Sequence, residues 1–442
     1  MIAPEPFFEP RGTPFSEFHR IRALTALGHQ VDLVTYPFGE DVSLPGLRVF
    51  RSLRPPFLRR VKVGPSLAKI PLDALLTLSV LRRALSCRYD AVHSHEEAGL
   101  IGATLALLLR IPHLYDMHSS LPQQLSNFSF SRSRFMKRLF LAIERFMIRR
   151  SRVVVVICPA LQETVLAIEP HVHTIVIENA PGSTGDRATP AEAAAVRCAH
   201  GLAAETPLVV YTGTFEAYQG LDMLFGAMAS VVGVRPDARL VLAGGQPDQI
   251  AEARAQARAS GVEASTIFAG ERPAAQIPAY LLAADVLVSP RSRGTNTPLK
   301  IYQYLRSGRP IVATRLVTHT QVLSDETAIL ADATPSAFGR GILIALNDQR
   351  RAAVVARHAR ELAETKYSEK AYLERTRDAC AALFAPRSPV APRGRAQRAR
   401  DPSTRSGSSR ATSRGEEAER GAGAPASDPG VPTARTERRG VV

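Results

Sequence analysis

Residues 289–314 read SPRSRGTNTPLKIYQYLRSGRPIVAT. Immediately before them Asp285-Val286-Leu287-Val288 is a short apolar run of the kind a buried parallel strand requires. A polar turn containing Gly294 and Thr295 follows, and then a helical stretch opened by Pro298 and closed at Gly308. Pro298 suits a first helical turn, because the N–H it lacks would have no partner there. Residues 310–314 supply a second strand. Strand, polar loop and helix N-terminus together offer free backbone N–H groups and a positive dipole end to an anion. Arg291, Arg293 and Lys300 add positive charge at the same point, so the expected guest carries phosphate.

Outward from this segment the chain alternates between strand and helix patterns, which predicts an α/β protein with parallel sheets covered on both faces. In the first half, helical spacing is expected over 15–27, 71–86, 98–110 and 134–150. Strands are expected over 30–36, 47–51, 90–94, 113–117 and 153–158. The second half predicts strands at 208–212, 239–243, 266–268, 285–289, 310–313 and 328–330. The division is placed as a first domain over 1–178 and a second over 179–384, with 182–190 as an exposed linker and a last helix over 369–383. The tail, 385–442, is rich in Ala, Arg, Gly, Ser and Pro, and disorder is expected there. From residue 387 it carries twelve Arg against six acids, a good part of the formal net charge of +15. Without aromatic interleaving or a nucleic-acid-binding module, that charge is not read as a nucleic-acid surface.

The 442 residues suffice for two cored domains. Four widely separated cysteines, with no C-x-x-C pair, make poor material for a zinc site or a disulfide framework and predict a reducing, cytoplasmic setting. No run approaches the roughly 20 apolar residues of a membrane span, and Met1-Ile2-Ala3-Pro4 does not open like a signal peptide. The first strand looks clipped at Met1.

The 289–314 segment resembles the donor motif of family 4 retaining glycosyltransferases, whose pattern runs Glu, seven residues, then Glu-Ala-Met-Ala-x-Gly-x-Pro-Val-Val. Here 303–312, QYLRSGRPIV, fills the second half in register. Residues 211–220, YTGTFEAYQG, sit where the family has a strand and then Gly-Arg-x-x-x-x-Lys-Gly. LVLAGG at 240–245 is similar to the family strand ending in Gly-x-Gly, and Phe268-Ala269-Gly270 to the approach to the donor loop. The likeness extends from residue 2 to about 384 and implies the GT-B fold, two Rossmann-like domains facing across a cleft. It also implies transfer of a hexose from a nucleoside diphosphate sugar to an acceptor hydroxyl, with retention. Four side chains depart from the pattern: Thr295 and Gln303 replace the two Glu, Thr214 the Arg and Gln219 the Lys.

Carried over position by position, the resemblance assigns the donor to Gly213, Thr214, Gln219, Gly244, Gly270, Thr295, Asn296, Thr297, Pro298, Leu299 and Gln303. Gln303 keeps an acceptor oxygen for the ribose hydroxyls, though not an ionised one. Lys300 and Arg291 are expected to stabilise the leaving diphosphate, and His118 to orient the transferring sugar. Arg11, Gly12 and Thr13 correspond to the loop under the phosphates near the acceptor, and His95 and Glu96 to the cleft wall. Arg309 is expected to face solvent. With no Asp-x-Asp pair and no His/Cys cluster, no metal or other cofactor is expected. The acceptor is left open among a glycan, a lipid-linked sugar and a small molecule. The stretch 134–150 puts Phe135, Leu139, Ile143, Phe146 and Met147 on one face amid Arg132, Arg134, Lys137, Arg138, Arg149 and Arg150. It reads as a core helix or as peripheral contact with the inner face of an anionic membrane. Arg51, Arg54, Arg59, Arg60 and Lys62, around Phe57 and Leu58, form a second basic stretch. Two alternatives to transfer stay open: nucleotide-sugar or partner binding without turnover, and a non-hydrolysing UDP-sugar epimerase, which needs cleft carboxylates that this donor loop lacks.

Overall fold

The computed structural model describes residues 1–9, 12–56, 58, 69–122, 134–178 and 188–386. Arg11, Phe57, Arg59, Arg60, Lys62, Arg132, most of the expected linker and the tail from 387 lie outside the described residues. Residues 1–386 form one compact unit that contains two wholly parallel sheets.

The first sheet has the order β3-β2-β1-β4-β5-β6-β7. Its strands are β1 (Ile2–Ala3), β2 (Val31–Thr35), β3 (Leu47–Arg51), β4 (Val92–His95), β5 (His113–Met117), β6 (Val153–Val156) and β7 (His173–Val176). Between them run α1 (Gly12–Ala26), α2 (Lys69–Ser86), α3 (Gly99–Leu109), α4 (Arg134–Arg150) and α5 (Pro159–Ile168). Strands such as β6, four consecutive valines, are buried along their whole length because helices cover both faces.

The second sheet has the order β10-β9-β8-β11-β12-β13. Its strands are β8 (Leu208–Thr212), β9 (Arg239–Ala243), β10 (Thr266–Gly270), β11 (Val286–Ser289), β12 (Ile311–Thr314) and β13 (Ile329–Ala331). The helices on this half are α6 (Pro190–Ala199), α7 (Leu221–Val234), α8 (Pro247–Ala259), α9 (Ile277–Ala283), α10 (Leu299–Ser307), α11 (Val317–Thr320), α12 (Pro335–Asn347) and α13 (Gln349–Thr365). One face of the sheet is closed by Leu224, Phe225, Met228 and Val231 of α7 against Phe338 and Ile342 of α12. Truncating a core side chain such as Phe338 to Ala costs about 3–5 kcal/mol. The other face is closed by Ile301, Tyr304 and Leu305 of α10 against Leu287 and Ile311.

The exposed linker expected over 182–190 ends earlier than its sequence suggested. Thr189 and Pro190 begin α6 through a capping box, in which Thr189 Oγ1 accepts from Glu192 N at 3.2 Å and Glu192 Oε2 accepts from Thr189 N at 2.7 Å. The last helix, α14 (Glu369–Phe384), packs on the first sheet, placing Tyr372, Ala379 and Leu383 against Leu114, Val153 and Val155. Arg375 holds Glu178 at 2.5 Å, and Arg22 holds Glu369 at 2.7 Å.

Candidate active site

In each sheet the strand order reverses once, between β8 and β11 and between β1 and β4, and crevices form beyond the carboxyl ends at such points. At the first, Gly213 leaves β8 with φ 129°, a backbone conformation that favours glycine. A Cβ on Gly244, the turn after β9, would lie 2.0 Å from Gly213 O, so the two turns stack backbone on backbone. Gly270 supports this pair from behind, its carbonyl accepting from Gly244 N at 2.7 Å. Gly220 is equally constrained, since its Cβ would meet Pro290 O at 2.1 Å.

Lys300, in the first turn of α10, reaches back over this glycine floor. Its Nζ would lie 3.2 Å from a Cβ on Gly213 and sits 3.7 Å from the centre of the Tyr211 ring. The residue is 8% exposed, and Nζ has no hydrogen-bond partner among the described residues. Burial, and then the neighbouring Arg291, push its pKa well below that of an ordinary lysine. A cation–ring contact is worth about 2 kcal/mol when desolvated, less than the hydration a buried ammonium gives up. The arrangement is incomplete without an anion.

Pro298 is the N-cap of α10, with ψ 136°, and not part of its first turn. Its carbonyl accepts the first helical bond, from Ile301 N at 3.0 Å, which defines the cap position. No side chain caps this end, so its dipole faces the glycine floor unscreened. Arg291 is largely committed to the loop: Nη1 donates to Asn296 O at 2.7 Å and Thr318 Oγ1 at 3.0 Å, while the guanidinium lies 4.9 Å from the Tyr218 ring centre. Its Nε has no described partner. Gln303 and Leu299 are half-buried, Thr297 is buried, and Thr214 is exposed with its carbonyl taken by Tyr211 OH at 2.6 Å. Gln219 is buried in a short helical turn with Oε1 unpartnered. Arg309 does not face solvent; it is half-buried and donates at 2.5 Å to Leu282 O, a carbonyl in the last turn of α9, where a helix leaves its carbonyls without intrahelical partners.

The donor-type loop touches the first domain. Asn296 Nδ2 donates to His118 O at 2.7 Å. Gln321 bridges as well, accepting from Ala160 N at 3.1 Å and donating to Thr295 O at 2.6 Å. Below, at the carboxyl ends of β4 and β5, lie His95, Glu96, Asp116 and His118. His118 Nε2 is 3.2 Å from Asp116 Oδ1, but out of line for a hydrogen bond. Burial alone would raise the Asp116 carboxyl, yet Arg20, whose Nε is 2.9 Å away, and His118 hold it well below the usual range. His93 stacks on His95 at 4.7 Å, and these rings with Asp116 bring three ligand-type atoms within 4.8 Å of one another. The Asp116 oxygen facing them is the one that Arg20 occupies. Glu96 is held at φ 47°, a strained conformation for a non-glycine residue. Burial lifts its carboxyl to about 8 against the pull of His118. Gly12 begins α1 exposed and Thr13 is half-buried there, while Arg11 is not described.

Sequence reasoning missed Tyr211 as the floor beneath Lys300, Gln321 as a bridge, and the acids Glu5, Glu17 and Asp73 near Glu96. Glu17 carried a signal, an acid inside the apolar-patterned helix α1. Gln321 carried none, because its role depends on a chain 161 residues away.

Residues 19–180 match the family model described as "Glycosyl transferase 4-like domain", and residues 206–348 the one described as "Glycosyl transferases group 1". The chain is 32% identical over 266 residues to a 2-deoxystreptamine N-acetyl-D-glucosaminyltransferase of Streptomyces fradiae, covering 57% of this chain and 61% of that protein. It is 28% identical over 291 residues to a 2-deoxystreptamine glucosyltransferase of Streptomyces kanamyceticus, covering 61% and 72%. The match thus spans about three fifths of the length of the first relative. Among solved structures, sucrose-phosphate synthase from Thermosynechococcus elongatus superposes with a TM-score of 0.71 at 20% identity, over 87% of this chain and 98% of that one. HepE of Anabaena in complex with UDP superposes with a TM-score of 0.67 at 17% identity, over 86% and 99%. These likenesses give the fold as GT-B.

Proposed function

We propose, from the premise that this chain belongs to the group 1 glycosyltransferase family, that it moves a hexose from a nucleoside diphosphate sugar to an acceptor hydroxyl with retention of configuration. The observation that carries this reading is the buried Lys300 ammonium, without an acceptor, over the Gly213 turn and beside an uncapped helix end. Breaking the glycosidic bond loads negative charge on the departing diphosphate. Fixed donors aimed at that charge act strongest in a site closed to water. In this reading Lys300, the first-turn amides of α10 and the Gly213 backbone receive the diphosphate, with no metal required. Arg291 adds its field and shapes the loop. Gln303 accepts from the ribose, and Thr295, Asn296 and Thr297 meet the sugar, with Gln219 and Thr214 at the edge of the phosphate turn. His118, fixed by Asn296 from across the cleft, orients the sugar and supports positive character on it.

The acceptor is read as an aminocyclitol bound on the first domain, the class of the 2-deoxystreptamine named for the two relatives. The work is placed in the cytoplasm, with α4 making peripheral contact with an anionic bilayer. Titration with UDP, GDP and ADP, followed by an assay of transfer and donor hydrolysis, tests the reading. One nucleotide is expected to bind clearly best, and Lys300→Ala to weaken it by about a hundredfold, consistent with the roughly 2–5 kcal/mol lost on truncating a buried charge partner. Unchanged affinity and turnover in that variant would remove Lys300 from the mechanism.

A further inference from the structure

Beside the donor-type loop, the ends of β11 and β12 and the short helix α11 present buried polar side chains. Ser289, Thr314, Thr318 and His319 are each 0% exposed. Their hydrogen bonds leave one place for every proton. His319 Nδ1 lies 2.8 Å from Thr314 O, and a carbonyl only accepts, so Nδ1 is the protonated nitrogen. Nε2 is then bare and accepts from Ser289 Oγ at 2.8 Å. Thr314 Oγ1, 3.0 Å from the same Nδ1, donates its own proton to Arg291 O at 2.7 Å. Burial, against the pull of the Thr314 carbonyl and with the fields of Arg291 and Lys300, lowers the imidazole pKa to about 3. The ring is neutral at any working pH, and its tautomer is fixed. Through it the end of β11 is tied to the end of β12, and through Thr314 to Arg291.

The loop over 290–298 carries no acidic side chain to hold its own arginine. It is held from outside instead. Thr318 Oγ1 donates to Asn296 O at 2.6 Å and accepts from Arg291 Nη1 at 3.0 Å, and Gln321 Nε2 donates to Thr295 O at 2.6 Å. Arg291 is therefore fixed at both ends, its carbonyl by Thr314 and its guanidinium by Thr318, while its Nε has no described partner. We infer that His319 and Thr318 are positioning residues, which clamp Arg291 between β12 and α11 so that its guanidinium is aimed at the departing diphosphate. The inference rests on the glycosyltransferase reading and adds two residues outside the donor-type loop and its helix. A guanidinium on a free loop has to reorganise as negative charge grows on the leaving group, and a preorganised donor does not. The clamp therefore acts on kcat more than on donor binding. A neutral ring suits the task, since a protonated one would add a third buried positive charge beside Arg291 and Lys300.

The test uses the full chain with UDP-glucose as donor and 2-deoxystreptamine as acceptor. Thr318→Val keeps the branched shape and removes the hydroxyl, whereas Thr318→Ser keeps the hydroxyl. Thr318→Val is expected to lower kcat by about tenfold or more with donor KM within about threefold, and Thr318→Ser to recover most of that loss. Hydrogen exchange reads the clamp without turnover: with UDP bound, the amides of 291–297 should exchange about tenfold faster in Thr318→Val, with those of β11 and β12 unchanged. Thr318→Ala, which puts no methyl against Asn296 O, is read the same way should the valine variant fail to fold. Equal losses of kcat in the Val and Ser variants, or unchanged exchange of the loop in Thr318→Val, overturn the clamp. His319→Asn combined with Ser289→Ala supplies an amide donor for Thr314 and removes the hydroxyl left without an acceptor. It is expected to keep the shape of the kcat–pH profile; loss of a limb would make His319 an acid–base group and overturn its assignment. Absence of transfer by the unaltered chain counts against the transferase reading alone, and the exchange result still decides the clamp.

Discussion

An ammonium buried beneath a helix end, with an aromatic ring as its described neighbour, destabilises the empty protein until an anion arrives. Lys300→Met keeps the volume and removes the unsatisfied group, so it is expected to raise the stability of the unliganded chain by about 1–3 kcal/mol and to abolish stabilisation by the nucleotide. The pH dependence follows from the folded pKa being lowered. Between that value and the unfolded value near 10.5, the unfolded chain binds more protons, so stability rises with pH. The wild-type deficit relative to Met is therefore full below the folded pKa and fades as pH climbs toward the unfolded one. Denaturant melts of both proteins across pH 6–10, with and without UDP, read this directly; a Met variant no more stable than wild type at low pH would mean that Nζ is satisfied in the empty site. The type of this residue was legible, because a lysine one turn into a helix after a strand and polar loop has few other uses. Its burial was not, since that depends on Tyr211 and Gly213, about 90 positions earlier.

The helices that matter divide into one read well and one read half well. α10 is legible through Pro298 and Gly308, with Pro298 one position outward, at the cap. α4 kept its expected bounds, but its apolar face is not uniformly inside. Met147 and Ile148 are buried, and the acid Glu144 turns inward to accept from Leu121 N at 2.7 Å. Phe135 is 72% exposed and Leu139 41% exposed among the described residues. Arg138, Arg145, Arg149 and Arg150 line a groove of about 550 Å³ along the same helix. Exposed apolar groups with a basic surround suit an anionic interface. Co-sedimentation with vesicles containing anionic lipid is expected, weakened by salt. Phe135→Ser combined with Leu139→Ser should cut it tenfold or more, since inserting each side chain is worth about 1.5–3 kcal/mol. Binding indifferent to both changes and to salt would remove α4 from any membrane role.

At the scale of the whole molecule, the ties between the two halves among the described residues include polar contacts and one returning helix. Asn296 to His118 and Gln321 to Ala160 join the donor-type loop to the first domain, while α14 brings Thr376 to Arg20 and Arg375 to Glu178. A neutral hydrogen bond is worth about 0.5–1.5 kcal/mol net, so Asn296→Ala should leave UDP affinity within about threefold. It should raise the ratio of donor hydrolysis to transfer severalfold, because a looser cleft admits water. An unchanged ratio would mean that this tie does not control closure. The amino-acid order alone determined the α/β class, nearly every strand of both sheets and the strand–loop–helix course of residues 285–308, since strand hydrophobicity, glycine turns and helix caps are local properties encoded within a few residues. Only the tertiary structure decided which side chains share a crevice: Glu5, Asp73 and Glu96 come from three separate segments, and Gln321 meets a residue of the other domain. Burial, and with it the protonation of those groups, depends on what surrounds a side chain in space, and no local pattern records that.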